Sequence, residues 1–175
     1  SAYFAGMTIG SEDTSGEMAG PLINARQYKR VLSYIEKGKA EGAKLIVGGG
    51  RPAHCESGFY VEPTVFSEVT NDMTIAREEI FGPVLALMPF DDEAEALRIA
   101  NDSDYGLSGA VYAATEERAL AFARRMRTGT VNINGGNFLG PDAPFGGYKQ
   151  SGIGREMGPE GFEEYLETKT MAIAV

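Results

Sequence analysis

The sequence predicts an α/β protein, a layer of parallel strands with flanking helices. Three observations carry this. Apolar residues recur at helical spacing in more than one segment, short strand-like runs stand between those segments, and glycines punctuate the transitions. Through the middle of the chain the order is strand, helix, strand, helix, strand, which argues for parallel strands joined by right-handed crossovers.

The opening residues Ser1 to Met7 read as the tail of a helix, and a start at Ser1 suggests a processed, truncated or engineered terminus. Ser11 to Pro21 is polar and turn-rich. Asn24, with Gln27 three residues later, makes a capping pair for the helix that follows. Tyr28, Val31, Leu32 and Ile35 lie on one face of that helix, and Gly42 supplies its left-handed stop. Ala43 to Val47 reads as a short strand, and Gly48-Gly49-Gly50 opens an exposed loop running to about Gly58.

Phe59 to Phe66 is rich in aromatic and β-branched residues but carries Pro63, which marks an edge or irregular strand. Ile75 to Pro83 leads into Val84–Met88, an apolar run predicted to be a buried strand. A second helix, around Asp92 to Asn101, starts on acids that suit its dipole, and a strand over Gly109 to Ala113 follows. Ala119, Phe122, Ala123 and Met126 repeat the helical stripe, Gly129 is its predicted stop, and Thr130 to Asn134 alternates as a strand. A long glycine-rich passage then runs to Gly158; loops of this length inside compact domains are usually functional. From Tyr165 onward, Met171, Ile173 and Val175 fall on one face of a terminal strand with no partner downstream, the pattern of a strand that completes another subunit's sheet.

Composition narrows the function. The chain has 175 residues, 43% of them hydrophobic, enough for a core without disulfides, and its one cysteine excludes an internal one. A net charge of -9 opposes electrostatic binding to nucleic acid or to an anionic membrane. No apolar run approaches the ~20 residues of a membrane span and no secretory signal opens the chain, so the expected setting is cytoplasmic.

Most chemistries find no support. His54 and Cys55 are adjacent, and neighbours in extended chain point opposite ways, so they make no nucleophile–base pair and no zinc site. Asp91-Asp92-Glu93 is explained by a helix start rather than a cation, and neither phosphate-loop signature occurs. Two features remain. Glu79, at a strand end beside Phe81, can accept hydrogen bonds from both hydroxyls of a ribose while the ring packs on a flat heterocycle. The competing reading makes Glu78 and Glu79 surface ion-pair partners beside Arg77, with Phe81 in the core. Pro144 to Lys149 either lines a pocket or forms a turn between core elements.

Glu78-Glu79-Ile80-Phe81-Gly82-Pro83-Val84, Tyr105-Gly106-Leu107, Gly129 to Asn134, and Pro144-Phe145-Gly146-Gly147-Tyr148-Lys149-Gln150-Ser151-Gly152 together strongly resemble the aldehyde dehydrogenase superfamily. Gly20-Pro21-Leu22-Ile23, the Gly48 triplet, and Glu164-Tyr165 with Glu167 to Thr170 extend the match over essentially the whole chain. The resemblance implies NAD or NADP as cofactor and oxidation of an aldehyde to a carboxylic acid through a cysteine thiohemiacetal. It implies that Glu79 holds the nicotinamide ribose hydroxyls, that Phe81 contacts the nicotinamide face, and that Gln27 and Arg30 approach the cofactor's ribose groups. Many members carry Lys where Arg30 stands, and a guanidinium is not a simple replacement for an ammonium. It places Leu139 and Phe145 against the aldehyde's body and Asn134 near the reactive centre or in support of its loop; several members carry an aromatic residue where this chain has Leu139.

In family order the nucleophilic cysteine, the general-base glutamate and the dinucleotide turn lie upstream of Gly20-Pro21, so no catalytic residue is assigned here and Cys55 does not fill that role. The resemblance thus implies residues 1–160 as a C-terminal part of the catalytic domain and 161–175 as an oligomerisation strand, in a homodimer or tetramer. The chain alone is then expected to be inactive. Two alternatives stay open at this point: a non-catalytic module that binds or regulates a full-length homologue, and a relative acting on a phosphorylated or CoA-linked semialdehyde.

Overall fold

A computed structural model describes residues 7–10 and 18–174. The predicted helix tail before Met7 and most of the turn-rich run from Ser11 lie outside the described residues. The chain divides into two compact units, Ser1–Phe90 and Asp91–Val175. It is α/β, with small mixed sheets rather than one parallel layer.

In the first unit, β1 (Thr8–Ile9) and β2 (Met18–Ala19) form a short parallel pair. Helix α1 (Ala25–Ala40) begins where sequence predicts: the Asn24 side chain accepts a hydrogen bond from the Gln27 amide at 2.9 Å, a cap worth about 1 kcal/mol. Gly42, at φ +95°, takes the chain out of the helix as expected. The helix buries Val31, Tyr34, Ile35 and Gly38. Gly38 has no room for a side chain, since a Cβ there would stand 3.0 Å from Ile75 Cδ1 and 3.3 Å from the Phe66 ring.

Beneath it lies a three-stranded sheet ordered β3 (Lys44–Val47), β4 (Thr64–Ser67), β5 (Val84–Ala86), antiparallel then parallel. Of the expected edge or irregular strand around Pro63, the edge reading is corrected, while the register of β4 with β3 does shift between Leu45 and Val47. The ladder starts at Thr64, so Pro63 precedes it, no ladder N–H is lost, and β4 runs through the centre with Phe66 fully buried. The strand predicted over Val84–Met88 is also corrected, because β5 sits at the edge and only one face is covered. Val84, Ala86 and Met88 pack on the core, whereas Leu85 is 45% exposed. The glycine loop is less open than predicted: Pro52 and Cys55 are buried, and the Arg51 guanidinium draws the loop together through the carbonyls of Cys55 at 2.7 Å and Gly58 at 2.5 Å.

Between β4 and β5 comes the short helix α2 (Thr74–Arg77). Its first turn is capped from a distance, since the Glu41 carboxylate accepts from the Thr74 amide at 2.6 Å and from its hydroxyl at 2.5 Å. Residues 78–83 then run to β5, with Phe81 in the left-handed region at φ +53°.

In the second unit, α3 (Glu93–Asn101) is capped by Asp92, confirming the acidic start as a helix signal. β6 (Tyr105–Gly106) pairs antiparallel with β9 (Tyr148–Lys149), and β7 (Ser108–Val111) pairs parallel with β8 (Thr130–Ile133). Helix α4 (Glu116–Ala123) connects β7 to β8 and buries Ala119. It ends at Ala123, so Met126 lies beyond it and Gly129 is not its stop. Gly129 serves close approach instead, because a Cβ there would fall 1.7 Å from the Gly146 carbonyl oxygen. The predicted run of alternating strands is therefore divided: β5 belongs to the first unit's sheet and β7 to the second's.

The last helix, α5 (Gly158–Glu163), is followed by chain without regular secondary structure in which Met171 and Ile173 are exposed. No strand forms over the described residues there, because a strand is defined by a partner's hydrogen bonds. Val175 lies outside the described residues.

Candidate cofactor-binding site

Gln27, Arg30 and Tyr34 are spaced i, i+3, i+7 on α1 and therefore share one face. All three bond to residues 78–81. The Gln27 amide nitrogen donates to the carbonyls of Ile80 at 2.8 Å and Phe81 at 2.9 Å. Arg30 Nη2 donates to the Glu79 carbonyl at 2.7 Å, and the Tyr34 hydroxyl donates to Glu78 Oε2 at 2.5 Å. The helix face and the segment run in opposite senses, so each residue from 78 to 81 has an anchor on α1.

The segment is extended before its left-handed turn at Phe81, and its side chains divide accordingly. Glu78 directs its carboxylate to Tyr34, and Ile80 is buried in the core. Glu79 is exposed and its carboxylate makes no hydrogen bond or ion pair among the described residues, while the Phe81 ring is 73% exposed. The reading of Phe81 as core is thereby excluded, and Glu78 bonds a tyrosine within its own unit. A non-glycine residue at positive φ beside an exposed ring and a free carboxylate is the kind of strain found at ligand sites, about 1 kcal/mol or more.

Tyr34 is 4% exposed, and its hydroxyl titrates above the usual tyrosine range. The hydrogen bond to Glu78 is the main cause and burial adds to it, while the Arg30 guanidinium, 4.9 Å from the ring centroid, opposes them. Sequence reasoning missed Tyr34 and Glu78 as site residues. The signal was present in the spacing, since Tyr34 continues the face that carries Gln27 and Arg30.

The candidate substrate residues lie in the second unit. Leu139 and Phe145 line a cavity of about 160 Å³ together with Val131, Phe138 and Pro144. Thr130 also lines it, and its buried hydroxyl has no hydrogen-bond partner among the described residues. Phe145 is fixed by a reciprocal backbone pair with Glu156, both bonds 2.7 Å. Asn134 is not part of the cavity lining. At φ +46° it accepts from the Ala113 amide at 2.8 Å through Oδ1, tying the end of β8 to the chain beyond β7. Lys149 pins the glycine-rich loop to the end of α3 by donating to the carbonyls of Asn101 at 2.8 Å and Ser103 at 2.7 Å, a favourable place for a cation. His54 and Cys55 form no pair: His54 Nε2 lies 2.9 Å from the Ile9 carbonyl, and the Cys55 side chain is buried.

This architecture is that of a known family. Residues 1–171 match the aldehyde dehydrogenase family, and the chain belongs to it. It is 55% identical over 166 residues to a 3-succinoylsemialdehyde-pyridine dehydrogenase of Pseudomonas sp., covering 94% of this chain and 35% of that protein. To a betaine aldehyde dehydrogenase of Rhizobium leguminosarum bv. trifolii it is 48% identical over 170 residues, covering 97% and 35%. Among solved structures, a Mycobacterium tuberculosis aldehyde dehydrogenase complexed with NAD+ superposes with a TM-score of 0.91 at 47% identity, over 99% of this chain and 37% of that one. A Pseudomonas syringae aldehyde dehydrogenase mutant complexed with NAD+ and octanal gives 0.90 at 49% identity, over 96% and 35%. The chain thus spans little more than a third of the length of these relatives.

Proposed function

We propose that the protein containing this chain is a cytoplasmic NAD(P)-dependent dehydrogenase that oxidises an aldehyde to a carboxylic acid, and that this chain completes its cofactor and substrate sites. The observation that carries the reading is the pairing of a free Glu79 carboxylate with an exposed Phe81 ring on one anchored segment. A carboxylate with both oxygens open suits the two hydroxyls of a ribose, and a ring standing clear of the core suits the face of a nicotinamide. The residues present therefore fit the cofactor, which when bound supplies the hydride acceptor. Glu79 orients the ribose, Phe81 bears on the ring, and Gln27 and Arg30 stand beside the ribose while holding the segment in place. The relatives complexed with NAD+ support this assignment.

Leu139 and Phe145 are proposed to bear on the aldehyde's body, with Asn134 supporting the loop near the reactive centre. The nucleophile and the base of the reaction belong to family motifs outside these residues, so the chain by itself is inactive on this reading. The exposed Met171 and Ile173 support pairing of the terminal segment with a second copy, in a homodimer or tetramer.

The test compares the full-length protein with the isolated 175-residue chain, each supplied with NAD+ or NADP+ and a panel of aldehydes, by absorbance of the reduced cofactor. Turnover by the full-length protein and none by the isolated chain is expected. No turnover by the full-length protein, or equal turnover by both, would overturn the reading.

A further inference from the structure

The geometry points to Tyr34 and Glu78 as positioning residues, whose hydrogen bond holds Glu79 and Phe81 in the orientation that receives the cofactor. This inference rests on the proposed role of Glu79 and Phe81 in binding NAD(P).

Three of the four anchors on residues 78–81 act on backbone carbonyls, from Gln27 and Arg30. A carbonyl anchor fixes where the chain passes. It does not by itself hold the side chain of either adjacent acid in one direction. The remaining hydrogen bond is, among the described residues, the only one made to a side chain of the segment, from the Tyr34 hydroxyl to Glu78 Oε2. In extended chain, successive side chains point to opposite sides, so burial of Ile80 in the core puts Glu78 on the α1 side and Glu79 on the other. The Tyr34 bond then holds the Glu78 carboxylate against the helix, away from the free carboxylate of Glu79.

The donor is well placed for this. Tyr34 is buried in the core with Val31, Ile35 and Phe66, so its hydroxyl is held where the segment must meet it. Two cations stand against the ring, the Arg30 guanidinium carbon 4.9 Å and Lys37 Nζ 5.4 Å from its centroid, and their positive charge favours a carboxylate nearby. A hydrogen bond from a neutral donor to a carboxylate is stronger than a neutral pair. Without it, the Glu78 carboxylate, exposed as Glu79 is, has no bond holding it to the helix and can swing toward its neighbour.

The test measures NAD+ affinity by isothermal titration calorimetry in the full-length protein, with thermal melting of the cofactor-free protein alongside. Tyr34→Phe keeps the ring in the core and removes only the hydroxyl. It is expected to raise the NAD+ Kd about tenfold. Glu78→Ala should do the same, and Glu78→Gln, which retains an acceptor, should recover most of what Glu78→Ala loses. A merely structural tyrosine would lower the melting temperature and leave the Kd where it was. If Glu79→Gln weakens NAD+ while Tyr34→Phe does not, the positioning role is overturned and the ribose role stands. If Glu79→Gln leaves affinity and hydride transfer unchanged, the ribose role falls and this inference with it. Should Tyr34→Phe fail to fold, the comparison of Glu78→Ala with Glu78→Gln decides: equal affinities contradict the inference.

Discussion

The Gln27 side-chain amide donates to the carbonyl of Phe81, 54 residues later, at 2.9 Å. The same nitrogen reaches the Ile80 carbonyl at 2.8 Å, so one side chain from the first turn of α1 holds the backbone at the point where it turns left-handed. A helix N-terminus is thereby tied to a segment with no regular structure of its own.

Replacing Gln27 with Leu keeps the volume and removes both donors. Two carbonyls lose their partners, and the segment is expected to open more often. Hydrogen exchange in the full-length protein at the Glu78 and Val84 amides, which donate to the Thr74 and Gly82 carbonyls at the two ends of the segment, should quicken by about tenfold, equivalent to about 1.4 kcal/mol of local opening. Unchanged exchange would show that Arg30 and Tyr34 suffice to hold the segment.

Tyr34 predicts a pH dependence at the alkaline end. Its hydroxyl titrates above the ordinary value of 10.0, chiefly because it donates to Glu78. The folded state therefore holds that proton more tightly than the unfolded state. The stabilisation is fully present below the ordinary value and is lost as pH rises through the raised one. Urea unfolding of wild type and Tyr34→Phe should show a constant stability difference from about pH 8 to about pH 9.5, shrinking above about pH 10.5. A difference that grows with alkalinity would contradict this.

Gly129 is predicted to tolerate no side chain. A Cβ there would come 1.7 Å from the Gly146 carbonyl oxygen, backbone that has no rotamer to yield. Gly129→Ala should destabilise the protein by about 3 kcal/mol or more, read as a fall in thermal melting temperature. Gly20→Ala is the control, since nothing lies within 4 Å of its Cβ position, and it should change stability by less than about 0.5 kcal/mol.

Much of this was legible in the sequence where the cause is local. Helix α1 could be placed from the Asn24 cap, the apolar stripe through Val31 and Ile35, and the left-handed exit at Gly42. Glu79 and Phe81 could be singled out because an acid and a ring flank one residue just before a Gly-Pro turn. The rest depends on partners remote in sequence. Gln27 reads as half of a capping box, yet its side chain leaves the cap for carbonyls more than fifty residues away. Pro63 reads as an edge marker, but β4 starts at Thr64 rather than Phe59, which puts the proline outside the ladder and the strand at the centre. The apolar run at Val84–Met88 reads as buried on both faces, and only the face toward α1 and β4 is covered here. The terminal segment needs a partner strand before it can be one.

On the proposed function, Glu79, presented outward by the anchored segment, orients the cofactor for hydride transfer. The most direct test of this role is the single-turnover rate of NAD+ reduction by the full-length protein and its Glu79→Gln variant with the same aldehyde. A fall of at least about tenfold is expected in the variant, with the melting temperature of the cofactor-free protein unchanged. An equal rate in the two proteins would contradict it.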